Sequence, residues 1–118
     1  MEMNPEEIIN KLEYKVNELT IRNAKLKKLG IIKDRLEATY RCELRKELLQ
    51  LSLNNINARG NGKIAQLRLN RDLAKIRYYL MKSSIENIKF EIEVLRSMLI
   101  WLRVEFSVLK DKEVTWLN

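Results

Sequence analysis

From Leu67 onward the chain sets down one residue type at alternating steps of 4 and 3. The positions are Leu67, Arg71, Ala74, Tyr78, Met81, Ile85, Ile88, Ile92, Leu95, Leu99, Leu102, Phe106 and Leu109, and Arg71 alone is not apolar. A seam that repeats every 3.5 residues over six heptads predicts a left-handed coiled-coil helix, because the slight underwinding keeps one face on a partner. The pattern assigns this helix to about 63–110, followed by a short tail.

The first half of the chain has a looser pattern. Asn4-Pro5-Glu6-Glu7 opens a helix. Asn4 caps the free amides, Pro5 suits the first helical position, and the two carboxylates favour the positive end of the dipole. Leu12, Val16, Leu19, Asn23 and Leu26 step 4, 3, 4, 3, and the stripe continues through Leu29, Ile32, Leu36, Tyr40, Leu44, Leu48 and Leu51. Three consecutive fours make this seam drift around the helix. Gly30 costs about 1 kcal/mol against Ala inside a helix. Ile31 and Ile32 resume the pattern at once, so the reading is one bent helix over about 5–55, with two shorter ones broken at Gly30 as the alternative.

Residues 56–62 carry the turn, in a segment rich in Asn and Gly, which tolerate left-handed backbone. Two elements of about fifty residues joined there fold back as a hairpin. The expected fold is thus all-α: a single domain over 1–118, formed by a long antiparallel helical hairpin of coiled-coil type.

A second apolar stripe runs along the opposite face of the second helix. Leu69, Leu73, Ile76 and Leu80 form its first part, and Phe90, Val94, Met98, Trp101, Val104 and Val108 its second. One antiparallel partner cannot cover two opposite faces, and apolar area left in water forfeits about 25 cal/mol per Å². Patches of this kind mark association. The expectation is a homodimer whose four helices make a bundle. Leu73, Ile76, Leu80, Phe90, Val94, Met98, Trp101, Val108 and Trp116 are its candidate interface residues. A helix 1 broken at Gly30 would instead cover both faces within a monomeric three-helix bundle.

Composition restricts the chemistry. Of 118 residues, 23 are Lys or Arg and 16 Asp or Glu, none is His, and the net charge is +7. Without His the usual general base and metal ligand is missing. The single Cys42 has no group to activate it and cannot build a zinc cluster or an internal disulfide. Phosphate-binding Gly loops and the nucleophile elbow are absent. The acidic start does not read as a signal peptide, and the longest apolar run is the five residues from Met98 to Leu102. A non-enzymatic, cytoplasmic chain without catalytic, cofactor or metal residues and without a membrane partner is expected.

The positive charge has a pattern of its own. A basic residue follows each second seam position: Arg68, Lys75, Lys82, Lys89, Arg96, Arg103 and Lys110. At 1.5 Å per residue this candidate stripe is about 63 Å long, or about 18 base-pair rises. It reads either as a phosphate track or as the flank of a coiled coil, with methylene stems on the seam and heads paired to carboxylates. Arg71, inside the seam, is expected to reach solvent or to pair with a carboxylate and fix the register.

The stretches GKIAQLRLNRDLAKIRYYL and IEVLRSMLIWLRVEF carry a resemblance. Their Leu67-Arg68-Leu69-x-Arg71-Asp72-Leu73-Ala74 and Leu99-x-Trp101-Leu102-Arg103-x-Glu105 blocks resemble small all-helical proteins of phages and prophages of low-GC Gram-positive bacteria. The resemblance covers the second half of the chain and transfers no site residue. It implies a viral setting, in which small binding proteins modulate host defence or serve replication and recombination. The function expected is a helical interaction protein that binds a protein or nucleoprotein target. Nucleic-acid binding through the basic stripe is the alternative, and a purely structural coiled-coil assembly protein is the third reading.

Overall fold

The computed structural model describes the backbone over 4–54 and 62–117, and the side chains over 4–50 and 62–110. It is all-α: two long helices, α1 (Pro5–Asn54) and α2 (Gly62–Leu117), pair as an antiparallel hairpin. The described residues contain no strand. Helix 1 starts where the sequence puts it. The Asn4 side-chain oxygen accepts the Glu7 amide at 2.8 Å and the Asn4 carbonyl accepts the Ile8 amide at 3.2 Å. An N-cap of this kind satisfies amides that have no intrahelical partner.

One alternative falls and two sequence expectations are corrected. Helix 1 does not break at Gly30, so the three-helix alternative falls. A Cβ built on Gly30 would lie 3.4 Å from Cε2 of Tyr78, so the missing side chain makes room for a ring against the backbone. Helix 2 does not stop at 110 but runs to Leu117. No Pro or Gly follows Lys110, and a helix persists past the end of its seam when nothing interrupts its backbone bonds. The helix limits on either side of the turn move by one residue, to Asn54 and Gly62. Most of the turn assigned to 56–62 lies outside the described residues.

Packing divides the chain into two units, to both of which each helix contributes. The first joins α1 up to Ile21 to α2 from Ile85 onward, and the second is Arg22–Ser84. The first unit has an aliphatic core: Ile8, Ile85, Ile88, Ile92 and Leu95 are buried, with Leu12 and Leu19 half-buried. The second buries Tyr40, Ile64 and Ala74, a smaller apolar set.

The seam of α2 is the one its sequence predicts, from Leu67 to Leu102. The seam of α1 is so only in part: Leu12, Leu19, Leu26, Leu29, Leu36, Tyr40 and Leu44 are buried or half-buried as expected. Val16, Asn23, Ile32 and Leu48 are exposed. The positions turned inward are Ile8, Leu12, Lys15, Leu19, Arg22, Leu26, Leu29, Lys33, Leu36, Tyr40, Glu43 and Glu47. These alternate steps of 4 and 3, with Glu18, Gly30, Glu37 and Leu44 half-buried beside them, so α1 keeps a heptad with charged residues at five of its positions.

Candidate interaction surfaces

In the second unit the two helices meet through polar side chains arranged around Tyr40 and Glu37. The Arg71 guanidinium lies 4.3 Å from the centre of the Tyr40 ring, and Arg68 lies 5.8 Å from it. Nε of Arg68 also donates to the Tyr40 hydroxyl at 3.2 Å. Both guanidiniums are thus placed against an aromatic π-face, a contact that strengthens when water is excluded. Glu37 receives three cations. Nε of Arg41 donates to its Oε1 at 2.9 Å, while Arg71 and Lys75 stand 3.5 and 3.7 Å from Oε2. These last two approaches are ionic contacts too long for hydrogen bonds, so Oε2 is a buried acceptor held by charge alone. Arg71 is also bound by Asp72 at 3.0 Å. Pairing with carboxylates, the alternative that fixes register, is the one the structure contains.

Further pairs keep the helices antiparallel and in step. Lys63 meets Glu43 at 3.2 Å near the turn end, Lys33 lies 5.0 Å above the Tyr78 ring, and Nη1 of Arg22 donates to the Ser84 hydroxyl. In the first unit Lys15 meets Glu91 at 2.5 Å and Glu18 at 3.6 Å. The hydrogen bond to Glu91 raises the Lys15 ammonium above its ordinary value. Lys33 is raised by its contact with Asp34, and Glu43 is lowered by Lys63 and then by Lys46. Each is an opposite charge favouring the ionised form.

The basic stripe of α2 is therefore not one uniform feature. In the second unit Arg68 is committed to Tyr40 and Lys75 to Glu37, while Lys82 has no ion pair among the described residues. In the first unit Lys89 pairs with Glu86 at 3.6 Å and Arg96 with Glu93 at 3.3 Å, both one turn back on the same helix. Arg103 and Lys110 line a shallow surface depression with Phe106, Ser107 and Leu109.

The apolar outer stripe lies in the open. Leu73, Ile76 and Leu80 are exposed in the second unit. In the first, Phe90 is 70% and Trp101 68% exposed, with Val94, Val104 and Val108 each near half. Met98 departs from this set, since it is half-buried toward the seam. Trp116 lies outside the described side chains. Phe90 and Val94 also border a groove between the helices, with Lys11, Lys15, Glu91 and Leu95. On another part of the unit Ile9, Leu12 and Val16 line a second groove with Glu13, Asn17 and Arg96.

Sequence reasoning missed Lys15, Lys33, Glu37 and Glu43 as interhelical residues. For Lys15, Lys33 and Glu43 the signal was present in the spacing, which continues the heptad from Ile8 and Leu12, but tracking apolar residues alone hides it; Glu37 lies outside that heptad, next to Leu36. No helix among the described residues is long and apolar enough to cross a membrane. No protein-family model, curated protein or solved structure matches the chain.

Proposed function

We propose that this chain is a non-enzymatic interaction protein that acts by binding, and that the outer face of α2 in the first unit is its contact surface for a protein target. The exposure of Phe90 and Trp101 carries this reading, since each is more than two-thirds open on a helix whose other face is already occupied. Large aromatic side chains ringed by aliphatic ones form the anchors of protein interfaces. A phage setting, a bacterial cytoplasm as the compartment and host-defence or replication machinery as the target belong to the same proposal. They rest on the resemblance of the Leu67–Ala74 and Leu99–Glu105 blocks. The net charge of +7 steers the chain toward acidic partners.

The test is affinity capture from the native host, with and without nuclease, comparing the natural chain with a Phe90→Glu/Trp101→Glu variant and a Lys82→Glu/Arg103→Glu variant. The expected result is a protein retained after nuclease treatment, lost with the first variant and kept with the second. A target lost with nuclease, or lost only with the charge variant, would overturn this reading in favour of nucleic-acid binding. That second reading is favoured by one observation, the absence of a carboxylate partner for Lys82 and Arg103 among the described residues.

A further inference from the structure

Helix 2 outlasts its partner. In the first unit Lys15 faces Glu91, and Leu12 and Glu13 share a groove with Arg96. Pro5, ten residues before Lys15, therefore stands opposite about residue 101 of α2. The burial pattern agrees: among the described residues Leu102 is the last half-buried position, and every residue from Arg103 to Lys110 is exposed. Asn4 caps α1 at that point, so the helix itself supplies nothing to cover the next four turns of α2.

The first two of those turns keep the apolar seam, and the next position of its register is Glu113. Phe106 and Leu109 continue the register of Leu99 and Leu102, yet they are 62% and 58% exposed. A fifteen-residue helix from Arg103 to Leu117 is marginal in water on its own, and Val, Phe and Ser within it are mediocre helix formers. The helix with apolar heptad positions free to meet such a seam, among the described residues, is this same segment. Its flanks are also complementary to a second copy. With Phe106 and Leu109 at the two seam positions of one heptad, Glu105 precedes the first and Lys110 follows the second. In a parallel pair these are the flanking positions that meet across the interface, so Glu105 of each chain faces Lys110 of the other, twice over.

We propose that two copies of this chain associate in parallel through the end of α2, with Leu102, Phe106 and Leu109 as the shared seam and reciprocal Glu105–Lys110 ion pairs beside it. The two helices part at Leu102, where each copy's own α1 takes the seam over. This surface is separate from the outer face proposed for the target. The exposed aromatic and aliphatic area at the end is small against the ~800 Å² per partner of a standard interface, so the dimer is a reversible one.

Sedimentation equilibrium of the full chain at micromolar to submillimolar concentration tests this. A monomer–dimer equilibrium is expected, abolished by Phe106→Glu and unchanged by Phe90→Glu. Glu105→Lys and Lys110→Glu should each weaken it about tenfold by placing like charges together. The double variant should restore it. Residues 105 and 110 are not neighbours on one helix, so the rescue reads a contact between chains. A monomer throughout the range overturns the proposal, as does loss of the dimer with Phe90→Glu or failure of the double variant to recover. None of these outcomes bears on target capture through the outer face.

Discussion

Arg71 on the seam of α2 and Glu37 beside the seam of α1 show how charge is tolerated where two helices meet. Each side chain retains about a fifth of its exposure, and each has more than one partner. Removing one member of a fully buried pair costs about 3–5 kcal/mol, and residual solvent screening lowers that here. Glu37→Ala is therefore expected to destabilise the chain by about 1–2 kcal/mol in urea denaturation. Arg71→Leu should be neutral or mildly stabilising, because Lys75 and Arg41 still neutralise Glu37 and a seam position becomes apolar. Loss of stability with Arg71→Leu comparable to that of Glu37→Ala would mean that the Tyr40 stacking outweighs the ion pairing. Glu43 gives a pH signature. Lys63 and Lys46 hold its carboxyl below the ordinary value of 4.5. A group depressed on folding contributes stability that is complete above the unfolded value and disappears as pH falls through the folded one. The melting temperatures of the natural chain and Glu43→Gln should thus differ at neutral pH and converge below about pH 4.

Helix 2 was readable from its sequence because thirteen positions announce one register, and Ile85, Ile88, Ile92 and Leu95 are buried where that register puts them. Helix 1 was readable as a helix and only in part in its facing. Its heptad is equally regular, yet Lys15, Arg22, Lys33, Glu43 and Glu47 occupy seam positions, and Val16 and Ile32 lie next to the seam without entering it. Following hydrophobicity alone slips the seam onto those neighbours. The outer stripe was legible except at Met98, which is half-buried where the other described side chains of the stripe are exposed. Mutational cost separates the two registers. Ile88→Ala, at 3% exposure, is expected to cost at least about 2 kcal/mol by opening a cavity. Ile32→Ala should cost less than about 0.5 kcal/mol, since its side chain is half in water already. Gly30→Ala tests the continuity of α1. The helix-propensity gain is about 1 kcal/mol, and a contact of 3.4 Å with a ring edge is within van der Waals reach. A higher melting temperature is expected, and a lower one would show that Tyr78 requires the bare backbone.

The net charge of +7 raises the question of whether the chain as a whole tracks a polyanion, and salt dependence answers it. Each phosphate neutralised on duplex DNA contributes about −0.9 to the slope of log affinity against log salt. If all seven stripe residues, Arg68 to Lys110, gripped phosphates, the slope would approach about −6. The structure argues for far less. Arg68 is turned onto Tyr40, and Lys75, Lys89 and Arg96 each have a carboxylate within 3.3–3.7 Å. The exposed pairs are weak and can open, but Glu37, Glu86 and Glu93 stay beside the stripe and repel an incoming phosphate. Lys82, Arg103 and Lys110 are what remains. Fluorescence anisotropy with a labelled duplex should accordingly give weak binding with a slope no steeper than about −3. A slope near −6 would mean that the carboxylates yield to phosphate, and the basic stripe rather than the apolar outer face would then be the functional surface of the molecule.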